Sequence, residues 1–134
     1  MLTVVGLDHV VLRTRNMDAM LEFYRDILGC PLDRVSKGLA GLVHLRAGSS
    51  LIDLLDVTRA EGPDATVGAA GERVDHICLQ VGPISEADLL AHLDSHGIAH
   101  GDFAGRYGAL GDGRTLYLTD PDGNGVELRI VEAR

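Results

Sequence analysis

The chain repeats itself. GLDHVVLRT, Gly6 to Thr14, returns as RVDHICLQV, Arg73 to Val81, and His76 follows His9 by 67 residues (76 − 9), half of 134. A repeat at half the length means one supersecondary unit built twice, so each half must supply the same elements in the same order. Both copies read Asp-His followed by alternating β-formers, and a helix-like segment follows each. In the first, Asn16 is the expected N-cap, Met17, Met20, Leu21, Tyr24, Ile27 and Leu28 form one stripe, and Gly29 ends it. In the second, Ser85 caps, Leu89, Leu90 and Leu93 form the stripe, and Gly97 stops it.

Strand-like runs complete each half: roughly Pro31 to Val35, Leu39 to Arg46 and Leu51 to Val57, then Ile98 to Phe103, Thr115 to Thr119 and Gly125 to Val131. Gly48-Ser49-Ser50 and Pro121-Asp122-Gly123 supply the turn chemistry of two hairpins. The stretch TRAEGPDATVGAAGE reads as a linker. The pattern therefore predicts an α+β domain of two tandem βαβββ modules, about 1–57 and 73–134, joined by 58–72. A helix on one side of each sheet leaves the other side free to form a concave surface.

Strand side chains alternate, so parity assigns faces. Val10 and Leu12 face the helix while His9, Val11 and Arg13 face away. Ile77, Leu79 and Val81 pack while His76, Cys78 and Gln80 point away. Val126, Leu128 and Ile130 pack while Glu127, Arg129 and Val131 point away. Asp53 lies opposite Ile52 and Leu54. The face away from the helices thus collects His9, Asp53, His76 and Glu127, two from each half. Imidazoles and carboxylates in one concavity are the donor set of a divalent metal site. A cation would also explain why a carboxylate, Glu127, stands inside an apolar strand, because an unpaired buried charge costs several kcal/mol.

The net charge of −8 argues against nucleic acid or an anionic membrane surface as partner, and the absence of Trp weakens any case for base stacking. No apolar run reaches membrane-spanning length, and Asp8 and His9 break the first one, so a signal peptide is not expected. Cys30 and Cys78 alone do not suggest a disulfide framework, and a reducing cytoplasm is the default. Cys78 reads as a buried, inert thiol. His92 and His96, four apart on the second helix, read as part of a solvated face, and His44 and His100 receive no role.

LDHVVL, FYRDILG, VDHICL and DPDGNGVEL, in this order, resemble the vicinal oxygen chelate superfamily: glyoxalase I, bleomycin- and fosfomycin-resistance proteins, methylmalonyl-CoA epimerase and extradiol dioxygenases. The resemblance spans essentially the whole chain. It implies paired βαβββ modules forming a cupped, partly closed mixed sheet, with a metal held at the positions of His9, His76 and Glu127. A fourth ligand is implied at Asp53, although relatives with a protein ligand there usually carry Glu or Gln. Without it, two His and one carboxylate remain, the set used for non-haem iron.

The shared chemistry is chelation of substrate oxygens by a Lewis-acidic cation, whether Zn, Ni, Co, Mn or Fe(II). For a glyoxalase-type lyase or isomerase acting on a small oxygenated metabolite, the resemblance makes Glu127 the proton acceptor and Arg13 a clamp for a glutathione carboxylate. Val57 departs from it, standing where small bacterial glyoxalases place Asn. Tyr117 matches a tyrosine of extradiol dioxygenases, but no histidine precedes His76 as their acid–base residue. Tyr117, Gln80 and Arg129 are further candidate substrate contacts. A bleomycin-type binding protein needs a cavity and no metal. A homodimer is expected from small relatives.

Overall fold

The computed structural model describes residues 7–68 and 74–132. The chain divides into two compact units, Met1–Val67 and Gly68–Arg134. The first contains strand β1 (His9–Thr14), helix α1 (Met17–Leu21) continuing as a π-helical segment (Glu22–Ile27), strands β2 (Leu32–Val35), β3 (Leu42–Ala47) and β4 (Ser50–Asp56), and helix α2 (Val57–Glu61). The second contains β5 (His76–Val81), α3 (Glu86–Ser95), β6 (Ala104–Gly108), β7 (Gly111–Thr119) and β8 (Gly125–Ile130). The expected βαβββ order is present in both. Residues 69–72 of the expected linker, and Arg73, lie outside the described residues, and α2 occupies the linker's start.

Each unit is one four-stranded mixed sheet, ordered β1-β4-β3-β2 and β5-β8-β7-β6. The first strand pairs in parallel with the last, and the rest is antiparallel. This topology makes the last strand of each half an interior strand, hydrogen-bonded to a neighbour along both edges. Val126, Glu127, Leu128 and Arg129 are accordingly all buried.

The first core forms where Leu12, Ile52, Leu54 and Leu45 meet Met20, Phe23 and Tyr24, all 4% exposed or less. The α-helical stripe omitted Phe23. Here Leu28 N–H donates to Phe23 at 2.9 Å, an i→i−5 bond that widens the turn. Widening brings the adjacent Phe23 and Tyr24 both inward, with rings edge to face at 4.9 Å. Gly29, at φ +84°, ends the segment as anticipated.

The second core sets Leu116, Leu118, Val126 and Leu128 against Leu89 and Leu93 of α3. Ser85 Oγ accepts the Asp88 N–H at 3.0 Å, the expected cap. Ser85→Ala should lower stability by about 1 kcal/mol, visible as a reduced urea midpoint at unchanged m-value.

The strand expected at Ile98 to Phe103 is instead β6, Ala104–Gly108, preceded only by an isolated bridge from His100 to Leu118. Glycines weaken β-propensity, and GRYGALGDG carries four of them. Two of the four have a packing reason. A Cβ at Gly113 would come within 2.7 Å of the Arg129 guanidinium, and one at Gly108 within 3.1 Å. The hairpin is glycine-rich partly because Arg129 lies against it. Gly113→Ala should displace that guanidinium and destabilise the second unit by about 1 kcal/mol, the low end of overpacking because the end of a flexible side chain can give way, measured by urea denaturation.

Candidate functional site

In the second unit, register sets Cys78, Glu127 and Tyr117 in one row across β5, β8 and β7, with His76 beside Gly125 one step along the same face. Glu127 Oε1 lies 3.4 Å from His76 Nε2, and Tyr117 Oη lies 3.5 Å from the same nitrogen. Tyr117 and Cys78 each hydrogen-bond Glu127, a carboxylate that is only 7% exposed. The buried charge is met by an imidazole, a phenol and a thiol, which is weak compensation for a full negative charge. Loss of water and then the bond to Glu127 raise the Tyr117 pKa, so the phenol stays protonated as a donor. Arg106 lies over the Tyr117 ring at 4.7 Å and donates to Thr115 Oγ1 and its carbonyl, which fixes the ring.

Cys78 is exposed, not buried as expected from its neighbours. Desolvation of its sulfur against the sheet, followed by the Glu127 charge, pushes the thiol from 9.0 to about 11. At pH 8 the thiolate population falls about 100-fold for such a shift, partly offset by greater nucleophilicity. Alkylation of Cys78 by iodoacetamide should therefore run about tenfold slower than that of a free thiol. Removing Glu127 should recover part of the rate.

In the first unit, His9, Val11 and Arg13 share the outward face with Leu51, Asp53, Leu55 and His44. Asp53, 3% exposed, is bound by His44 Nδ1 at 2.8 Å. His9 Nδ1 lies 2.6 Å from Asp8 Oδ2, and His76 Nδ1 lies 2.7 Å from Asp75 Oδ2. The bond to Asp8, with the Asp53 charge as a smaller contribution, raises the His9 pKa. An ionised carboxylate only accepts, so each of these imidazoles carries a proton on the Nδ1 that faces it.

Arg13 is already engaged, with Glu61 Oε2 at 2.5 Å and the Thr66 carbonyl at 3.3 Å. Arg129 donates to the Gly111 carbonyl at 2.6 Å and to the Asp112 carbonyl at 3.4 Å, and its buried Nε has no hydrogen-bond partner among the described residues. Gln80 and Arg129 line a cleft of about 740 Å³ with Ser85, Glu86, Asp112 and Arg114. His76, Tyr117 and Glu127 are not in its lining. His44, the partner of Asp53, is a residue that strand parity alone does not single out. The two-residue hairpin connection pairs Ala47 with Ser50 and carries His44 directly opposite Asp53, a register readable from the turn.

Among the described residues, no three His, Cys, Asp or Glu side chains gather closely enough to hold a metal ion. The donor types do fit one chemically: imidazoles and a buried carboxylate are N/O ligands for a divalent ion.

Two βαβββ sheets, each with an imidazole and a carboxylate on the face its helix leaves open, define the paired-module class of small α+β proteins. Residues 6–128 match the profile of the Glyoxalase/Bleomycin resistance protein/Dioxygenase superfamily. The glyoxalase domain-containing protein RDO1 of Mycosarcoma maydis is 33% identical over 129 residues, 95% of this chain and 69% of that protein. The chain belongs to this superfamily. Among solved structures, an integron cassette protein of V. cholerae is similar at 28% identity and TM-score 0.78, covering 98% of this chain and 99% of that one. A lactoylglutathione lyase from Agrobacterium tumefaciens shares the fold at 23% identity and TM-score 0.65, over 95% and 94% of the two chains. No helix among the described residues is long and apolar enough to cross a membrane.

Proposed function

We propose that this protein binds a divalent metal ion and acts as a lyase or isomerase on a small oxygenated metabolite. The observation that carries the reading is the 3.4 Å approach of His76 Nε2 to Glu127 Oε1, a carboxylate that is only 7% exposed. His76 and Glu127 are the second unit's ligands, and His9 is the first-unit ligand that the superfamily's pattern calls for. The cation supplies Lewis acidity toward two substrate oxygens. Glu127 accepts the substrate's carbon-bound proton, and Tyr117, held protonated, donates a hydrogen bond to the oxygen that gains charge. Arg13 is paired with Glu61, so a glutathione carboxylate would have to displace that partner. A smaller substrate therefore fits better than a glutathione adduct. Gln80 and Arg129 would contact a substrate extending into the cleft they line. The active species is a homodimer, checked by sedimentation velocity.

The test is elemental analysis of protein purified without added metal, beside His76→Ala. Stoichiometric divalent metal in the wild type, lost in the variant, is the expected result. A wild type that takes up no divalent metal would overturn the proposal in favour of a small-molecule binding module. With metal present, methylglyoxal plus glutathione and a catechol panel under ferrous iron separate lyase from dioxygenase chemistry.

A further inference from the structure

Arg129 is buried without an ion pair. Its side chain is 7% exposed, yet its acceptors are two main-chain carbonyls, and no carboxylate pairs with it among the described residues. Arginine is seldom buried this far without an ionic partner. The carbonyls of Gly111 and Asp112 take two of the guanidinium's five N–H donors, and the buried Nε is among those left over. Parallel N–H donors on one planar fork are what a carboxylate binds with two bonds.

The fold makes room for this cation. A Cβ at Gly113 would stand 2.8 Å from the Arg129 Cζ as well as 2.7 Å from Nη2, so the β6–β7 hairpin is shaped around the guanidinium. Arg129 lines the cleft of about 740 Å³, whose lining comes entirely from the second unit. That volume suits a small molecule. The other charged groups of the lining are paired or solvated. Arg114 and Glu86 hold each other through bonds of 2.9 and 3.1 Å, while Asp112 and Glu132 are exposed. Water and salt screen exposed acids far more than a buried charge, so the cation governs the floor of the cleft.

Register ties this cleft to the Glu127 row. The row Gln80–Arg129–Thr115 follows the row Cys78–Glu127–Tyr117 on the same face of the same sheet. Two residues along β8 separate the rows by about 7 Å. Desolvation and then Glu127 push the Cys78 thiol up, and the Arg129 charge draws it partly back, so one sulfur feels both groups.

We infer that this cleft is a carboxylate-binding subsite, in which the Arg129 guanidinium holds the ligand's carboxylate and the Gln80 amide donates beside it. The substrate class that follows is a small hydroxy or oxo acid. That consequence rests on the reaction proposed above, whereas the subsite itself does not. A carboxylate fits better than a phosphate, because one cation balances one charge and the exposed acids repel a dianion more strongly.

The test uses the full chain, isotope-labelled and treated with EDTA, with the Arg129 Nε–H resonance assigned through its own backbone. Lactate and mandelate should move that resonance and saturate it. Their neutral counterparts, lactamide and mandelamide, should bind at least about tenfold more weakly by calorimetry. Arg129→Lys keeps the charge without the fork and should weaken mandelate by about tenfold. Equal binding of acid and amide, tighter binding of inorganic phosphate, an unaffected Arg129→Lys, or no response in the wild type would overturn the subsite. The wild-type comparison of acid with amide decides the matter even if the variant does not fold. A saturating lactate response in a protein that takes up no divalent metal would keep the subsite and overturn the metal reading. Metal uptake without that response would do the reverse.

Discussion

Glu127→Gln is expected to lower affinity for a divalent metal by more than about 100-fold while leaving the fold as stable as the wild type or more so. The two effects have one cause. Glu127 sits at 7% exposure among His76, Tyr117 and Cys78, none of which carries a fixed positive charge. A carboxylate buried this way costs desolvation energy, which a near-isosteric amide avoids in part. The same substitution removes the anionic donor, and with it the proton acceptor. Co2+ titration and urea denaturation of the two proteins make the comparison. Lost stability with retained metal affinity would mean that Glu127 is a structural group.

Gly125→Ala is expected to be the most damaging small substitution in the second unit, costing about 1–3 kcal/mol and reducing metal affinity together. Gly125 lies opposite His76 in the parallel pairing of β5 and β8. A Cβ there would stand 2.5 Å from the Asp75 carbonyl and 2.9 Å from the His76 Cβ. The first clash is with backbone and cannot be relieved by a rotamer change, so β5 must move, and His76 moves with it. Urea denaturation and Co2+ titration read the two effects. A variant with wild-type midpoint and affinity would show that the strands yield without disturbing the imidazole.

Much of this was readable in the sequence, and the failures have physical reasons. The Asp-His repeat gave the duplication, and strand parity put His9, Asp53, His76 and Glu127 on the open faces, because period-2 alternation survives any small error in strand ends. Gly29 and Gly97 marked helix ends because a left-handed backbone, at φ +84° and +67°, is where glycine is needed. Phe23 was missed because a 3.6-residue period does not describe a π-helical turn. β6 was displaced because its glycines conceal a strand whose composition answers to Arg129. His44 drew no notice because parity describes one strand at a time, whereas its bond to Asp53 depends on register across the hairpin. Arg13 looked free in sequence because its partner, Glu61, lies 48 residues away in a segment read as linker (61 − 13).

The most direct measurement is a crystal structure of the protein loaded with Co2+, with anomalous diffraction data collected at the cobalt edge. The account predicts a peak at roughly 2.1 Å from His76 Nε2 and within bonding distance of the Glu127 carboxylate. An anomalous map with no peak at that pair, or with its only peak at the helix histidines His92 and His96, would contradict it.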